Sequence, residues 1–285
     1  MMTPDFQLQP VHDVLIRGNT QMPVGLYHLH LATAAQLTGL HYSPKSIKLV
    51  QKRLKWLVDR GYLQADTIPT RELKSAYYYT LGERGMQYLK LLGYDVPAAW
   101  RAEKETNKHW LFIDHTRELN DLLISAALLN HPRYRLDHFI HERVLKRRPY
   151  RTTWRGRTLS VIPDAFLKFV VQLPDGTTEA RPLLIEHDRG TEEQHHFRQR
   201  IRAYILLLKE EPTPIAFTTF VSLKRLEQMR SWTQTELAAT NEPIALGLHF
   251  SFAYLQCPLI PEEVWLDPCW LSPYDNHESH LLLAA

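Results

Sequence analysis

Ser160-Val-Ile-Pro-Asp-Ala-Phe-Leu-Lys-Phe-Val-Val-Gln-Leu173 and Arg181-Pro-Leu-Leu-Ile-Glu-His-Asp-Arg-Gly190 decide how the second half of this 285-residue chain folds. Each is an apolar, strand-like run with acids at one end: Asp164 in the first, Glu186 and Asp188 in the second. Between them, Pro174-Asp-Gly-Thr177 joins a residue of fixed φ, a side chain that bonds its own turn and a glycine tolerant of positive φ, which predicts a reversal. A hairpin closed there brings Asp164 close to Glu186 and Asp188. Alternation along a strand puts Glu186 and Asp188 on one face. Carboxylates gathered this way bind hard divalent cations, so Asp164, Glu186 and Asp188 are read as a candidate Mg²⁺ or Mn²⁺ site.

Working outward, a long helical pattern runs from about His109 to Asn130, with Trp110, Ile113, Leu119, Leu122, Leu123 and Ala126 on its apolar face. A strand, Tyr134–His141, follows it. After the acid-bearing strands come an amphipathic helix from about Thr191 to Lys209, a strand at Ile215–Val221 and a helix from about Lys224 to Ala239. This αβββαβ order, with acids on the second and third strands, resembles the PD-(D/E)xK nuclease superfamily. The resemblance implies acids that hold a metal and a lysine that stabilises the developing negative charge. The lysine position, two residues after Glu186, holds Asp188 instead. Lys168 is the candidate replacement, about 13 Å from Asp164 on the same strand face at about 3.3 Å per residue. Arg189 has the wrong parity and is a poor proton acceptor. The departure implies a catalytically inactive nuclease-like scaffold. A metal-dependent endonuclease or nickase is the alternative. A purely structural role also fits the acids, with Asp188 paired to a basic neighbour and Thr191 and Glu192 opening the next helix.

The first part of the chain has a different pattern. Thr33 can cap a short helix carrying Ala34, Leu37 and Leu40, and His41-Tyr-Ser-Pro44 reads as a turn. Ser43 and Pro44 then open a second helix, Lys45–Arg60, ended by Gly61. Ile47, Val50, Leu54 and Leu57 form its buried stripe, with Lys45, Lys48, Lys52, Lys55 and Arg60 largely off it. Two strands near Tyr62 and Tyr77 flank a polar loop with Arg71 and Lys74, and Leu81–Leu92 closes the set as a helix. This order resembles a winged helix-turn-helix domain, which implies a recognition helix in the major groove of double-stranded DNA and a wing on the backbone. Gly93–Trp100 breaks the periodicity. The expected organisation is therefore a winged helix over residues 1–95, a linker at 96–108, a nuclease-like domain at 109–257 and a C-terminal tail at 258–285 rich in proline and tryptophan. The tail is expected to pack through its tryptophans or to meet a partner.

A second basic element spans Arg143 to Arg157. It contains Arg143, Lys146, Arg147, Arg148, Arg151, Arg155 and Arg157 and no acid, with Tyr150 and Trp154 interleaved. Arginines there would meet phosphates and the rings could stack on a splayed base, which suits single-stranded DNA. His138, His141, His187, His195 and His196 show no zinc spacing and are read as packed or surface residues. Net charge is only +3, so the clusters matter more than the total. Cys257 and Cys269 fit neither a zinc ribbon nor a redox pair. No apolar run approaches the roughly 20 residues that span a bilayer, and the first residues lack a signal-peptide pattern. A cytoplasmic protein with no membrane partner is expected.

Taken together, "HTRELNDLL" with His115, "IPDA", "IEHDRGTE" and a helix ending in "RAY" resemble the replication-relaxation family of plasmids and mobile elements. The resemblance covers most of residues 30–222. It implies a role in replication, DNA relaxation or transfer, with relaxase or replication proteins as partners. His115, Asp164, Glu186, Asp188, Arg189, Gly190, Thr191 and Glu192 are the residues it singles out. A winged-helix transcriptional repressor that dimerises through its second domain is a third reading.

Overall fold

A computed structural model describes residues 22–68, 76–97, 100–106, 108–154 and 156–282. Arg71 and Lys74 of the expected wing and Arg155 of the basic run lie outside the described residues. The chain is a mixed α+β protein that divides between residues 127 and 128 into two units.

In the first unit, α1 (Met22–Leu29), β1 (Ala32–Thr33) and α2 (Ala34–His41) lead into a 3₁₀ turn at Pro44–Ser46 and α3 (Ile47–Asp59). β2 (Leu63–Thr67), β3 (Tyr77–Leu81) and α4 (Glu83–Leu91) follow, then α5 (Trp110–Leu128). The sheet is antiparallel with order β1-β3-β2. Thr33 caps α2 as its sequence predicts: its Oγ1 accepts from the Gln36 amide at 3.2 Å, and the Gln36 side chain accepts from the Thr33 amide at 3.0 Å. The expected opening of the basic helix at Ser43 is different. Ser43 makes no side-chain cap bond, the first turn is 3₁₀, and α3 begins at Ile47. Val50, Leu54 and Leu57 are buried, while Ile47 is half-buried.

Three glycines fix α3 against the sheet. Gly61, at φ +72°, ends α3 with bonds from its own amide to Val58 O and from the Tyr62 amide to Leu57 O, the Schellman pattern. Across from it, a Cβ on Gly82 would lie 2.4 Å from Gly61 O, and one on Gly85 2.2 Å from Tyr62 O. Backbone meets backbone at these points, so no larger residue fits. Helix α5, expected to begin the second domain, instead makes side-chain bonds to this unit. Asn120, fully buried, donates to Leu29 O at 3.1 Å and Leu31 O at 2.6 Å, and Gln36 reaches Arg117 O and Asp121.

In the second unit, β4 (Tyr134–His141) and a short α6 (Glu142–Leu145) precede the hairpin β5 (Tyr150–Trp154) and β6 (Arg157–Val161). Then come β7 (Ala165–Gln172), β8 (Thr178–Asp188), α7 (Gln194–Glu210), β9 (Ile215–Thr219) and α8 (Leu223–Leu237). Helix α9 (Pro243–Gly247), β10 (Phe250–Tyr254) and α10 (Pro261–Trp265) complete it. The main sheet has order β10-β9-β8-β7-β4, antiparallel through β4, β7 and β8 and parallel through β8, β9 and β10. Asp175 Oδ1 accepts from the Thr177 amide and Gly176 has φ +85°, so the expected reversal closes the β7–β8 hairpin. Phe197, Ile201, Tyr204, Ile205 and Leu208 of α7 pack with Leu184, Phe217 and Phe250 of the sheet. The tail folds back onto this unit. Trp265 and Trp270 are fully buried, and Arg230 holds Ser272 O and Asp275 O. β10 carries little sequence signal, because Phe250–Tyr254 is short and lacks a flanking turn of the kind seen at Pro174–Thr177.

Gly85→Ala is expected to destabilise the protein by about 1–3 kcal/mol through forced backbone displacement, read by urea unfolding. Unchanged stability would contradict the close approach. His41 carries a second expectation. It is 2% exposed, neither ring nitrogen has a hydrogen-bond partner, and burial lowers its pKa to about 4. The unfolded state therefore binds the proton more readily, and stability falls as the pH drops from about 6.5 to about 4. Replacing His41 with leucine should shrink that acid sensitivity by about 2–3 kcal/mol across the window. Part of the slope should persist, since burial lowers His28 in the same direction.

Candidate functional site

The hairpin register brings two of the three acids together. Ala165 pairs with Ile185, which places Asp164, one residue ahead of β7, opposite Glu186 at the end of β8. Asp164 Oδ2 accepts the His187 amide at 2.8 Å, and its carbonyl accepts the Glu142 amide at 2.7 Å. Glu186 is 1% exposed and faces α7. Its Oε2 accepts from Arg200 Nη1 at 2.5 Å, and its Oε1 from the Tyr204 hydroxyl. Arg200 Nη2 also bonds Glu192, so one guanidinium bridges two carboxylates. Burial raises the Glu186 carboxyl above the usual carboxylate range. Arg200 opposes that rise, and the negative charge of Asp164 adds to it.

Asp188 belongs to a separate pair. Both its oxygens are taken by Arg225 of α8, from Nε at 2.7 Å and Nη2 at 2.8 Å, and Oδ1 also accepts the Gly190 amide at 2.7 Å. In this arrangement Asp188 neutralises Arg225 rather than sharing a site with Asp164 and Glu186. The alternative of a basic neighbour is what the structure contains, though the neighbour comes from another helix and not from Arg189. Lys168 has an acidic partner of its own. It pairs with Asp137 of β4 at 3.2 Å, four residues along β7 from Asp164. Among the described residues, no group of three or more His, Cys, Asp or Glu side chains is arranged to hold a metal ion. Of the three carboxylates a nuclease site would use for its divalent cation, Glu186 is already held by Arg200 and Asp188 by Arg225, which leaves little room for the ion among them.

A cleft of about 520 Å³ opens beside this cluster. Leu159, Ser160 and Val161 of β6 form one wall, and His196, Gln199 and Arg200 of α7 the other, with Glu186 and Glu192 between them. The β5–β6 hairpin rests on α7, where Thr152 Oγ1 donates to Glu210 at 3.0 Å. Of the basic run, Lys146, Arg147, Arg148, Arg151 and Arg157 are exposed, Trp154 is 42% exposed and Arg143 half-buried. Lys146 pairs with Glu142 at 2.5 Å.

In the first unit, Lys45, Lys48 and Lys52 are exposed on and just before α3. The remaining cations of that face have partners. Lys55 binds Asp59 at 2.8 Å, and the Arg60 guanidinium lies 4.0 Å from the Trp56 ring centroid. Arg53, on the same helix, bonds Tyr42 Oη at 2.8 Å. His115 is half-buried on α5. The other histidines are packed or superficial: His187 contacts Thr218 Oγ1 at 3.0 Å and Phe220 edge-on, and the His195 and His196 rings meet at a tilt.

Arg200, Tyr204 and Arg225 were missed as site residues. One signal was present. Arg200 and Tyr204 fall on the stripe of Phe197, Ile201 and Leu208, and an arginine there must find an acid inside. Arg225 had no such signal.

The replication-relaxation family model matches residues 25–214, more than half of the chain. The chain belongs to the replication-relaxation family, a membership that suggests a replication-related role in a plasmid or mobile element. No curated protein and no solved structure matches it. Among the described residues, no helix is long and apolar enough to cross a membrane.

Arg225→Ala should cost about 3–5 kcal/mol, because it strands the Asp188 carboxylate in a buried place. Adding Asp188→Asn should recover part of that loss. A double variant no more stable than the single one in denaturant titration would refute the pairing.

Proposed function

We propose that this protein is a DNA-binding protein of a plasmid or mobile genetic element, serving replication, relaxation or transfer. Its first unit acts as a winged helix on duplex DNA, and its second as a nuclease-like scaffold without cleavage chemistry. The observation that carries the reading is the row of exposed Lys45, Lys48 and Lys52 on a helix that follows a capped helix and turn and precedes an antiparallel hairpin and a closing helix. That order supports α3 as the recognition helix. The strand order of the second unit, and Asp164 facing Glu186 across β7 and β8, support the nuclease-like assignment. The arginines on its acids and the displaced Lys168 support inactivity.

Replacing Lys45, Lys48 and Lys52 with alanine should weaken duplex binding and reduce the salt slope by about 0.9 for each phosphate that is no longer neutralised. Lys55→Ala, whose ammonium is engaged by Asp59, should change it little. An unaltered slope in the triple variant would remove α3 from the interface. The hairpin, with exposed Arg151, Trp154 and Arg157, is the proposed contact for single-stranded DNA. Trp154→Ala should reduce affinity for an unpaired oligonucleotide by about 1–3 kcal/mol if a base stacks there.

Supercoiled plasmid incubated with the protein and Mg²⁺ or Mn²⁺ should remain supercoiled. Nicking that disappears in an Asp164→Ala, Glu186→Ala variant would overturn the inactive reading in favour of a metal-dependent nickase. Footprinting confined to the protein's own promoter would favour a repressor. Relaxase or replication proteins are the proposed partners on the element.

A further inference from the structure

The end of α3 carries exposed chemistry of a different kind from its lysines. Trp56 is 44% exposed and stands four residues after Lys52, as Lys52 stands four after Lys48. Arg60, at the C-cap, comes four later still, so these side chains follow one stripe of the helix. Past Gly61 the stripe continues in rings and guanidinium groups. Arg60 lies over the Trp56 ring. Trp56 and Tyr62 are parallel to within 9°, with centroids 6.5 Å apart, and the Arg84 guanidinium lies 4.8 Å from the Tyr62 centroid. We propose that this platform of Arg60, Trp56, Tyr62 and Arg84 holds an unpaired nucleotide where a duplex seated on Lys45, Lys48 and Lys52 opens. The first unit would then bind a junction of double- and single-stranded DNA in preference to uninterrupted duplex.

The chemistry of the platform selects that occupant. Among the described residues neither guanidinium is paired with a carboxylate. Asp59 is engaged by Lys55, and Arg84 uses Nη1 on Arg60 O at 3.0 Å. Two cations without counter-charges beside two aromatic rings suit a ligand that is both anionic and flat, as a nucleotide is. A proline-rich peptide would use the rings and leave both positive charges unanswered. A base inside a duplex has no free face to offer, whereas the first unpaired base does. Replacing Arg60 by a base on the Trp56 ring costs little, because an exposed cation–π contact is weaker than the stacking of a base on an aromatic side chain. The released guanidinium then meets a phosphate. Trp56 lies about 12 Å along the helix axis from Lys48, close enough for one strand to run from the lysines to the platform.

The inference rests on the reading of α3 as the duplex contact, and the two are tested separately. Affinities of the full chain for a blunt duplex, and for the same duplex with a short unpaired tail on either strand, are compared by fluorescence anisotropy. All measurements use a Trp154→Ala background, so that the proposed stacking residue of the second unit does not contribute. The tailed duplex should bind about tenfold more tightly than the blunt one, the size expected from stacking one base. Trp56→Leu, which keeps an apolar side chain but no ring face, should bring that ratio close to one, and Trp56→Phe should restore most of it. A 2-aminopurine at the first unpaired position should lose fluorescence on binding the parent and keep it on binding Trp56→Leu. Replacing Lys45, Lys48 and Lys52 should weaken both substrates, which tests the duplex contact by itself and separates its failure from that of the platform. Should Trp56→Leu fail to fold, Arg84→Gln decides, with an expected fall in the ratio of about threefold. A parent ratio near one with either tail, or a ratio that survives in folded Trp56→Leu, overturns the proposal.

Discussion

Glu186 and Asp188 end the central antiparallel strand of the second unit in places that water scarcely reaches, with 1% and 4% of their surfaces exposed. A carboxylate cannot stay charged there alone, since desolvation costs more than folding commonly yields. Each is therefore met by an arginine from a helix on that side of the sheet, Arg200 from α7 and Arg225 from α8. These pairs constrain what surrounds them. Helix α7 must present Arg200 and Tyr204 at the height of Glu186, and α8 must start where Arg225 reaches the end of β8. Arg198 and Arg202 on Glu236 then hold the two helices to each other. The placement of α7 and α8 on this side of the sheet thus satisfies both carboxylates together with the apolar core.

That constraint also explains what could be read from the sequence. The β7–β8 hairpin was legible because its causes are local: a four-residue turn with proline, aspartate and glycine, flanked by apolar runs whose register follows from the turn. Asp164 and Glu186 were placed opposite one another for the same reason. The fate of Asp188 was not legible, since its partner lies 37 residues away and nothing near Asp188 marks Arg225. Lys168 was assigned by strand parity and distance alone. Asp137, on the neighbouring strand, competes for it at closer range. Parity locates a side chain on a face but does not say which charge it will meet.

In the first unit, the signals that held were also short-range. Thr33 with Gln36, and Gly61 after α3, are capping rules satisfied within a few residues. Ser43 obeyed composition but not geometry, and the helix began later. The long-range features went unread. Asn120 of α5 donates to Leu29 and Leu31 carbonyls some 90 residues earlier, joining to this unit a helix that its position in the chain had suggested belonged to the next.

The glycine contacts at the end of α3 have a consequence for how this surface can change over time. The carbonyls of Gly61 and Tyr62, just beyond α3, press so closely on Gly82 and Gly85 that a Cβ there would come within 2.4 and 2.2 Å of them, so the end of α3 is seated directly on the backbone that follows β3. Lys45, Lys48 and Lys52 are thus mounted on a fixed platform. Relatives that diverge in what this face touches would have to do so by exchanging individual side chains along α3 rather than by reorienting the helix. The face behaves like movable type set in a rigid frame, in which the letters vary and the line does not.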